Sequence, residues 1–423
     1  MASAANRRRV LVLADQGLST LSNVVVAVIV ARSLPPDGFG AFGVATVAYI
    51  LVAGAGRALL GEPLLSRYSH RDRATRDAAI PDLLGACLTL ALTGAAGVLV
   101  VGALLPGPAG AALLGLAPVL PLMLVQDAWR YAFIVDRPAA AVAVDVAWLA
   151  GVCAALPLAP EGVDAQWYVV AWGLASGLGV AVGVVIGWHQ IGSPHLWRWY
   201  HTTRDMGARF FGEFVTGQAV AQIVVTGVGA ISGLGVFGAV RATQIFYGPL
   251  NTLHAGIYLA LVPEGAQVAR SPHRLYRLMV LASAGLAAVA VVWTLVGLAL
   301  PDAWGTALFG RTWADAQDLI LPMGLAMVAG SAATGGFAGI RALGDPTASL
   351  RARLATMPGE LAAPVSGVAV GGASGFVYGL VIARSITSAV WWRAFDRAAR
   401  RLPVSPTAAS RADRGLFVAE AHV

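Results

Sequence analysis

The sequence predicts an all-helical integral membrane protein with about twelve transmembrane helices. Three observations indicate this fold class: the composition, the spacing of long apolar stretches, and the distribution of arginine. Of the 423 residues, 57% are hydrophobic and 12% are charged, and the mean hydropathy is +0.72. A soluble globular protein carries about 25% charged residues, so this composition excludes the soluble class.

Apolar stretches of about 20 residues mark the candidate spans, because a helix rises 1.5 Å per residue and the hydrocarbon core of a bilayer is about 30 Å thick. Twelve stretches meet this criterion. They are residues 10–32, 39–62, 79–105, 111–133, 139–158, 166–188, 208–231, 236–261, 277–300, 317–341, 351–370 and 373–394. The fourth, eighth, tenth and eleventh contain internal prolines, and breaks at such positions often line a cavity.

The arginines alternate between the two sides of the predicted spans. All 29 basic residues are arginine, and 24 of them lie in the terminal segments or in the connections that follow even-numbered helices. This alternation predicts an even number of helices, with both termini in the cytoplasm. It also explains the basic composition without a nucleic-acid partner. The remaining five arginines are Arg32 and Arg311 on the other side, and Arg57, Arg241 and Arg384 within spans.

An internal repeat predicts two six-helix lobes. The motif Gly40-Ala-Phe42-Gly43, at the start of the second helix, recurs as Gly235-Val-Phe237-Gly238 at the start of the eighth. Copies six helices apart are parallel and related by an axis along the membrane normal. The expected divisions are an N-terminal lobe (1–188), a cytoplasmic linker (189–207), a C-terminal lobe (208–401) and a disordered cytoplasmic tail (402–423).

The N-terminus carries the features of a known family. A basic Arg7-Arg8-Arg9 segment precedes the first apolar run, Leu34-Pro-Pro-Asp-Gly-Phe-Gly-Ala-Phe-Gly links it to the second, and the second helix ends Gly61-Glu-Pro-Leu-Leu. In these features the chain resembles the O-antigen and exopolysaccharide flippases of the multidrug/oligosaccharidyl-lipid/polysaccharide (MOP) exporter superfamily.

This resemblance implies a MATE-like fold in which two bundles surround a central cavity. It implies a transporter, not an enzyme, that flips undecaprenyl-diphosphate-linked oligosaccharide across the bacterial inner membrane by alternating access. A polysaccharide polymerase and glycosyltransferases are then its expected partners. Twelve spans would lack two C-terminal helices of the superfamily's lipid II flippases, which counts against a peptidoglycan-precursor role.

Charged groups inside the spans are the candidate site residues, because a charge at membrane depth needs a partner or a water-filled cavity. Counting residues from the nearest hairpin turn places Asp15 and Arg57 at one depth. The same count places Glu360 and Arg384 at a common depth near the midplane. Each couple is either a structural ion pair or a cavity arginine whose charge the acid controls.

Four further ionisable groups lie within the predicted spans. Glu213 and His254 lie about 20 residues to either side of a turn near residue 234 and form either a proton relay or separate structural contacts. Arg241 lies near the outer end of the eighth helix, where it either extends to the headgroups or binds substrate. Asp145 has no partner that the sequence reveals.

The main hypothesis is that Arg57, Arg384 and Arg241 hold the anionic headgroup, because arginine stays charged and presents a planar fork of donors. Asp15, Glu360, Glu213, His254 and Asp145 would then couple ions or gate release. A cation-coupled multidrug exporter is the alternative, although it would favour an acidic cavity. A membrane-embedded polysaccharide-assembly enzyme is a third hypothesis. No metal-ligand cluster, nucleotide loop or catalytic spacing supports it, and no cofactor or metal is predicted.

Overall fold

The computed structural model describes residue 18 and residues 21–68, 71–134 and 136–401, and it confirms the all-helical class. Throughout these ranges the chain forms helices joined by short turns, without a strand. Asp15 and the tail 402–423 lie outside the described residues, so the predictions for them stay predictions.

Most helices coincide with predicted apolar stretches, but α8 begins inside the predicted linker (189–207) and the predicted span 208–231 is divided between α8 and α9. The first six are α1 (Leu21–Ser33), α2 (Pro36–Gly56), α3 (Glu62–Tyr68), α4 (Arg73–Leu104), α5 (Gly107–Ile134) and α6 (Pro138–Ala155). The next five are α7 (Ala165–Gly187), α8 (Leu196–Phe214), α9 (Val220–Ser232), α10 (Leu234–Phe246) and α11 (Gly248–Val268). The last five are α12 (Pro272–Leu298), α13 (Asp302–Phe309), α14 (Trp313–Gln317), α15 (Ile320–Ala342) and α16 (Pro346–Arg400).

Eight helices are long and apolar enough to cross a membrane, or nine if the bent pair α10–α11 counts as one span. The predicted number of twelve is therefore not confirmed by the described part of the chain. Prolines broke fewer helices than expected. α5 is continuous through Pro118 and Pro121, whereas the 50° bend between α10 and α11 lies just before Pro249.

α16 contains the hairpin that the sequence predicts at residues 371–373. Gly371 and Gly372 are non-helical, and Gly372 has φ +54°, a conformation that favours glycine. The two halves of α16 then pack against each other. Gly379 marks the close contact, since a β-carbon there would collide with the Ala363 carbonyl and lie 2.7 Å from the Pro364 Cα. Residues 346–370 and 373–400 are thus antiparallel neighbours.

The two copies of the repeat motif pack against each other. A β-carbon on Gly40 would collide with the Leu234 carbonyl, and one on Gly238 would lie 2.8 Å from the Pro36 carbonyl oxygen. A β-carbon on Gly43 would lie 2.9 Å from the Phe237 ring. The glycines therefore allow the backbones of α2 and α10 to approach closely, as small residues do between membrane helices.

By its internal contacts the chain forms two compact units. Unit 1 holds the described residues up to Gly248 together with Leu300–Leu319 and Val368–Phe376. Unit 2 holds Pro249–Ala299, Ile320–Gly367 and the described residues from Val377 onward. This division rests on packing alone and groups α8–α10 with the N-terminal helices. The lobe boundaries at residues 188 and 208 remain a prediction.

Candidate functional site

Arg57 lies in a π-helical turn, Arg57–Gly61, that joins α2 to α3. Pro63 explains the turn, because proline has no N–H for the Leu59 carbonyl, and the backbone shifts to the wider π pattern before it. The guanidinium Nε lies 2.9 Å from Glu62 Oε1, and the Arg57 side chain is 61% exposed. Arg57 is thus a surface cation of unit 1 with a neighbouring carboxylate, and the predicted partner Asp15 is outside the described residues.

A polar cluster on α5 lies beside this turn, and sequence reasoning missed it. The Tyr131 ring packs over Gly61, with a β-carbon there 3.0 Å from the ring. One turn away on α5, the Asp127 carboxylate accepts a hydrogen bond from the Tyr49 hydroxyl at 3.3 Å. Glu62 and Tyr131 therefore lie at the π-helical turn that contains Arg57, and Asp127 with Tyr49 forms a further polar contact one turn away on α5.

Asp145 has a partner, contrary to the expectation from sequence. Its carboxylate Oδ2 lies 3.3 Å from Arg130 Nε, and the two side chains are only 3% and 12% exposed. The arginine alternation places Arg130 in the connection after the fourth predicted helix, but it lies inside α5. Arg130 lies six positions before residue 136 and Asp145 nine positions after it, so a residue count from this turn gives them neighbouring but unequal depths.

In unit 2, Arg384 extends from the second half of α16 toward α15. Its Nη1 donates to the Ala326 carbonyl at 3.2 Å and lies 3.2 Å from the Met327 sulfur. Among the residues that the structure describes, no carboxylate lies within 4.0 Å of this guanidinium. A half-buried arginine in an apolar helix therefore has neutral partners, and its charge is uncompensated at close range.

Glu360 makes no ion pair with Arg384 in the described part of the chain, so of the two alternatives for this couple the structural ion pair is not observed. The Glu360 carboxylate accepts a hydrogen bond from the Thr387 hydroxyl at 2.9 Å and lies 3.6 Å from Arg353 Nη1. The hairpin does bring the two halves together, but an equal depth does not fix which way a helical side chain points. Thr387, one turn beyond Arg384, is the residue whose side chain meets Glu360.

His254 and Glu213 belong to different units. His254 Nε2 lies 2.7 Å from the Ser331 hydroxyl, and this hydroxyl donates its hydrogen to the Met327 carbonyl at 2.8 Å. Met327 therefore contacts Ser331 through its carbonyl and Arg384 through its sulfur. The Glu213 side chain is exposed on α8, and the proton relay between it and His254 remains a prediction.

Arg241, like Arg384, has no acidic partner among the residues that the structure describes. Its Nη1 donates to Gln244 Oε1 at 3.0 Å, and its stem packs near Gly43. Within the described ranges no carboxylate lies within 4.0 Å of it. The same part of the chain contains no group of three or more His, Cys, Asp or Glu residues that could hold a metal ion. The candidate site groups can therefore bind anions, Arg384 and Arg241 most directly.

The sequence matches no protein-family model and no curated protein, whereas its fold is similar to several solved structures. A multidrug resistance MATE family transporter of the MOP superfamily, in an inward-facing conformation, has a TM-score of 0.71 at 15% identity, over 90% of this chain and 94% of that one. The lipid II flippase MurJ, in an inward closed conformation, has a TM-score of 0.64 at 10% identity, over 92% and 87%.

A third solved structure is a MOP superfamily transporter from Pyrococcus furiosus, in which a reverse polarity of the binding pocket suggests a different function. Its TM-score is 0.61 at 13% identity, over 92% of this chain and 94% of that one. The chain is therefore an all-helical, multi-pass membrane protein. Its fold is that of the MATE transporters of the MOP superfamily, and identities this low show the fold alone.

Proposed function

We propose that this protein is a MOP-type transporter that flips a lipid-diphosphate-linked oligosaccharide across the bacterial inner membrane by alternating access. The observation that carries the proposal is Arg384, a half-buried guanidinium whose partners are a carbonyl and a thioether. An uncompensated cation at membrane depth favours an anionic ligand, and a diphosphate supplies about two negative charges. Arg241 and Arg57 are the further candidate cations, in unit 1.

The acidic groups suggest how cargo could be released. Glu360 lies between Thr387 and Arg353, and Thr387 is three residues after Arg384 on the facing half of the hairpin. Protonation of Glu360 would remove its hold on Arg353 and change the charge that Arg384 experiences. Asp145 is better explained as the structural partner of Arg130, since both side chains are buried in their ion pair.

The second candidate is a cation-coupled multidrug exporter; one fold neighbour is described as a multidrug resistance transporter. A specific observation favours it: the Asp127 carboxylate, bonded to Tyr49, provides an acid inside the predicted fourth span. A cationic drug would, however, be repelled by Arg384 and Arg241. The lipid-linked substrate accounts for these arginines, and a polysaccharide polymerase and glycosyltransferases are then the proposed partners.

The test is transport of a lipid-diphosphate-linked oligosaccharide by the full chain in proteoliposomes, with substrate binding measured in parallel. Arg384→Ala should weaken binding by about tenfold to a hundredfold, because a hydrogen bond to a charged group contributes about 1.5–3 kcal/mol. Arg57→Ala should also reduce export. Glu360→Gln removes the carboxylate that lies 3.6 Å from Arg353 and should change the rate of export. The matched control is Arg274→Ala, an exposed arginine at the start of α12.

All variants should insert and unfold like the wild type, which separates loss of transport from loss of folding. Wild-type export by both Arg384→Ala and Arg57→Ala would refute the proposal. Faster efflux of a cationic dye by Arg384→Ala, with no glycan transport by the wild type, would instead support the multidrug exporter.

A further inference from the structure

The first two turns of α8 present an exposed face of aromatic and basic side chains. Trp197, Tyr200, His201 and Arg204 occupy positions i, i+3, i+4 and i+7, which share one side of a helix. Trp197 is 73% exposed and Tyr200 50%. The His201 ring centroid lies 5.2 Å from that of Trp197 and 5.5 Å from that of Tyr200. We call these four residues the α8 face.

The opposite side of α8 is fixed to unit 1, so the α8 face points outward. Trp199 is buried and stacks on Tyr68 with ring centroids 6.4 Å apart. The buried Asp82 of α4 accepts from the His195 backbone N–H at 2.7 Å, and its Oδ2 lies 2.7 Å from Arg198 Nε. These contacts leave α8 little freedom to rotate about its axis.

Asp82 also sets the level of the α8 face relative to the bilayer. It is the last charged residue of α4, and residues 83–104 contain none. Those residues rise about 33 Å, which matches the hydrocarbon core. Asp82 therefore marks the membrane boundary on the arginine-rich side, and its bonds to His195 and Arg198 place the start of α8 at that boundary. Tryptophan and tyrosine favour this interfacial level.

We propose that the α8 face binds the headgroup of an anionic phospholipid of the surrounding bilayer. The Arg204 guanidinium makes no hydrogen bond or ion pair with any residue that the structure describes, and it presents two parallel donors to a phosphate. His201 adds a ring nitrogen beside it, while the Trp197 and Tyr200 rings lie among the glycerol and upper acyl carbons. This site is separate from the arginines proposed to bind the transported lipid.

The experiment measures thermal unfolding of the full-length protein in detergent as phosphatidylglycerol is added. The wild type should show a saturating rise in Tm, whereas phosphatidylcholine and inorganic phosphate should cause none. Arg204→Gln should need about fivefold more phosphatidylglycerol for the same rise in Tm. A basic residue near an anionic surface contributes about 1 kcal/mol, and this free energy corresponds to a factor of about five in affinity. Trp197→Ala with Tyr200→Ala should reduce the maximum rise.

Two control variants match these substitutions elsewhere on the molecule. Arg274→Gln removes an exposed arginine at the start of α12, and Trp304→Ala removes a tryptophan of α13 that is 67% exposed. Both should respond like the wild type. The proposal is overturned if phosphatidylcholine or inorganic phosphate raises Tm equally, or if Arg274→Gln weakens the response as much as Arg204→Gln. A full response by the Trp197/Tyr200 double variant would also overturn it.

Discussion

Replacing Gly40 with alanine tests the close packing of the repeated glycine motifs. In the structure, a β-carbon at Gly40 would collide with the Leu234 carbonyl and lie 3.1 Å from the Leu234 Cα. Both obstructing groups are backbone, so no side-chain rotation can relieve the contact. α2 and α10 would have to separate, and the packing of Phe237 near Gly43 would loosen with them.

The expected loss follows from two opposing effects. Overpacking costs about 1–3 kcal/mol, and a collision with backbone belongs at the upper end of that range. Alanine returns up to about 1 kcal/mol over glycine in a helix. Gly40→Ala should therefore lower the free energy of unfolding by about 2 kcal/mol. A β-carbon on Gly97 of α4 would meet no atom within 4 Å. Gly97→Ala should therefore raise the free energy of unfolding by up to about 1 kcal/mol, the helix-propensity advantage of alanine.

The assay compares the denaturant midpoints of wild type, Gly40→Ala and Gly97→Ala in the same detergent. Gly40→Ala should unfold first and Gly97→Ala no earlier than the wild type. Gly238→Ala, whose β-carbon would lie 2.8 Å from the Pro36 carbonyl oxygen, should resemble Gly40→Ala. If Gly40→Ala unfolds at or above the midpoint of Gly97→Ala, the close contact between α2 and α10 is refuted.

Three ion pairs give further predictions. Asp145→Asn should destabilise the protein by about 3 kcal/mol in thermal unfolding, because it removes the charged partner of the buried Arg130. Asp396→Asn, in an exposed pair with Arg400, should change stability by no more than about 0.5 kcal/mol, and equal losses would contradict this reasoning. Asp82→Asn should speed amide exchange in residues 196–204, because Arg198 loses a charged acceptor; unchanged exchange there would show that Asp82 does not hold α8.

The fold class was predictable because it depends on averages over the whole chain. Hydropathy and the alternation of arginine do not require any single contact to be right, and the hairpin at Gly371–Gly372 was found from two adjacent glycines. The number of spans depends instead on how individual helices end and bend. Pro118 and Pro121 left α5 continuous, whereas α10 and α11 bend by 50°, and sequence alone does not separate these outcomes.

The site was less predictable because counting residues gives depth but not direction. The count placed Glu360 and Arg384 at one level, yet the side chain that reaches Glu360 is Thr387. The count found no partner for Asp145 for another reason. The arginine pattern places Arg130 in a connection, so Arg130 is not among the buried cations that could pair with Asp145. Which partner a buried charge takes depends on helix rotation, and rotation is set by packing across the whole unit.

The neighbours of Arg57 and Arg384 predict that an anion binds more strongly at Arg384 than at Arg57. An anion arriving at Arg57 competes with Glu62, which already lies 2.9 Å from the guanidinium. At Arg384 the incoming anion meets neutral partners, and the cation has already lost part of its water to the helices around it. The anion therefore gains more at Arg384, where it supplies a missing counter-charge, than at Arg57, where it replaces one. In the export experiment Arg384→Ala should accordingly cost more than Arg57→Ala.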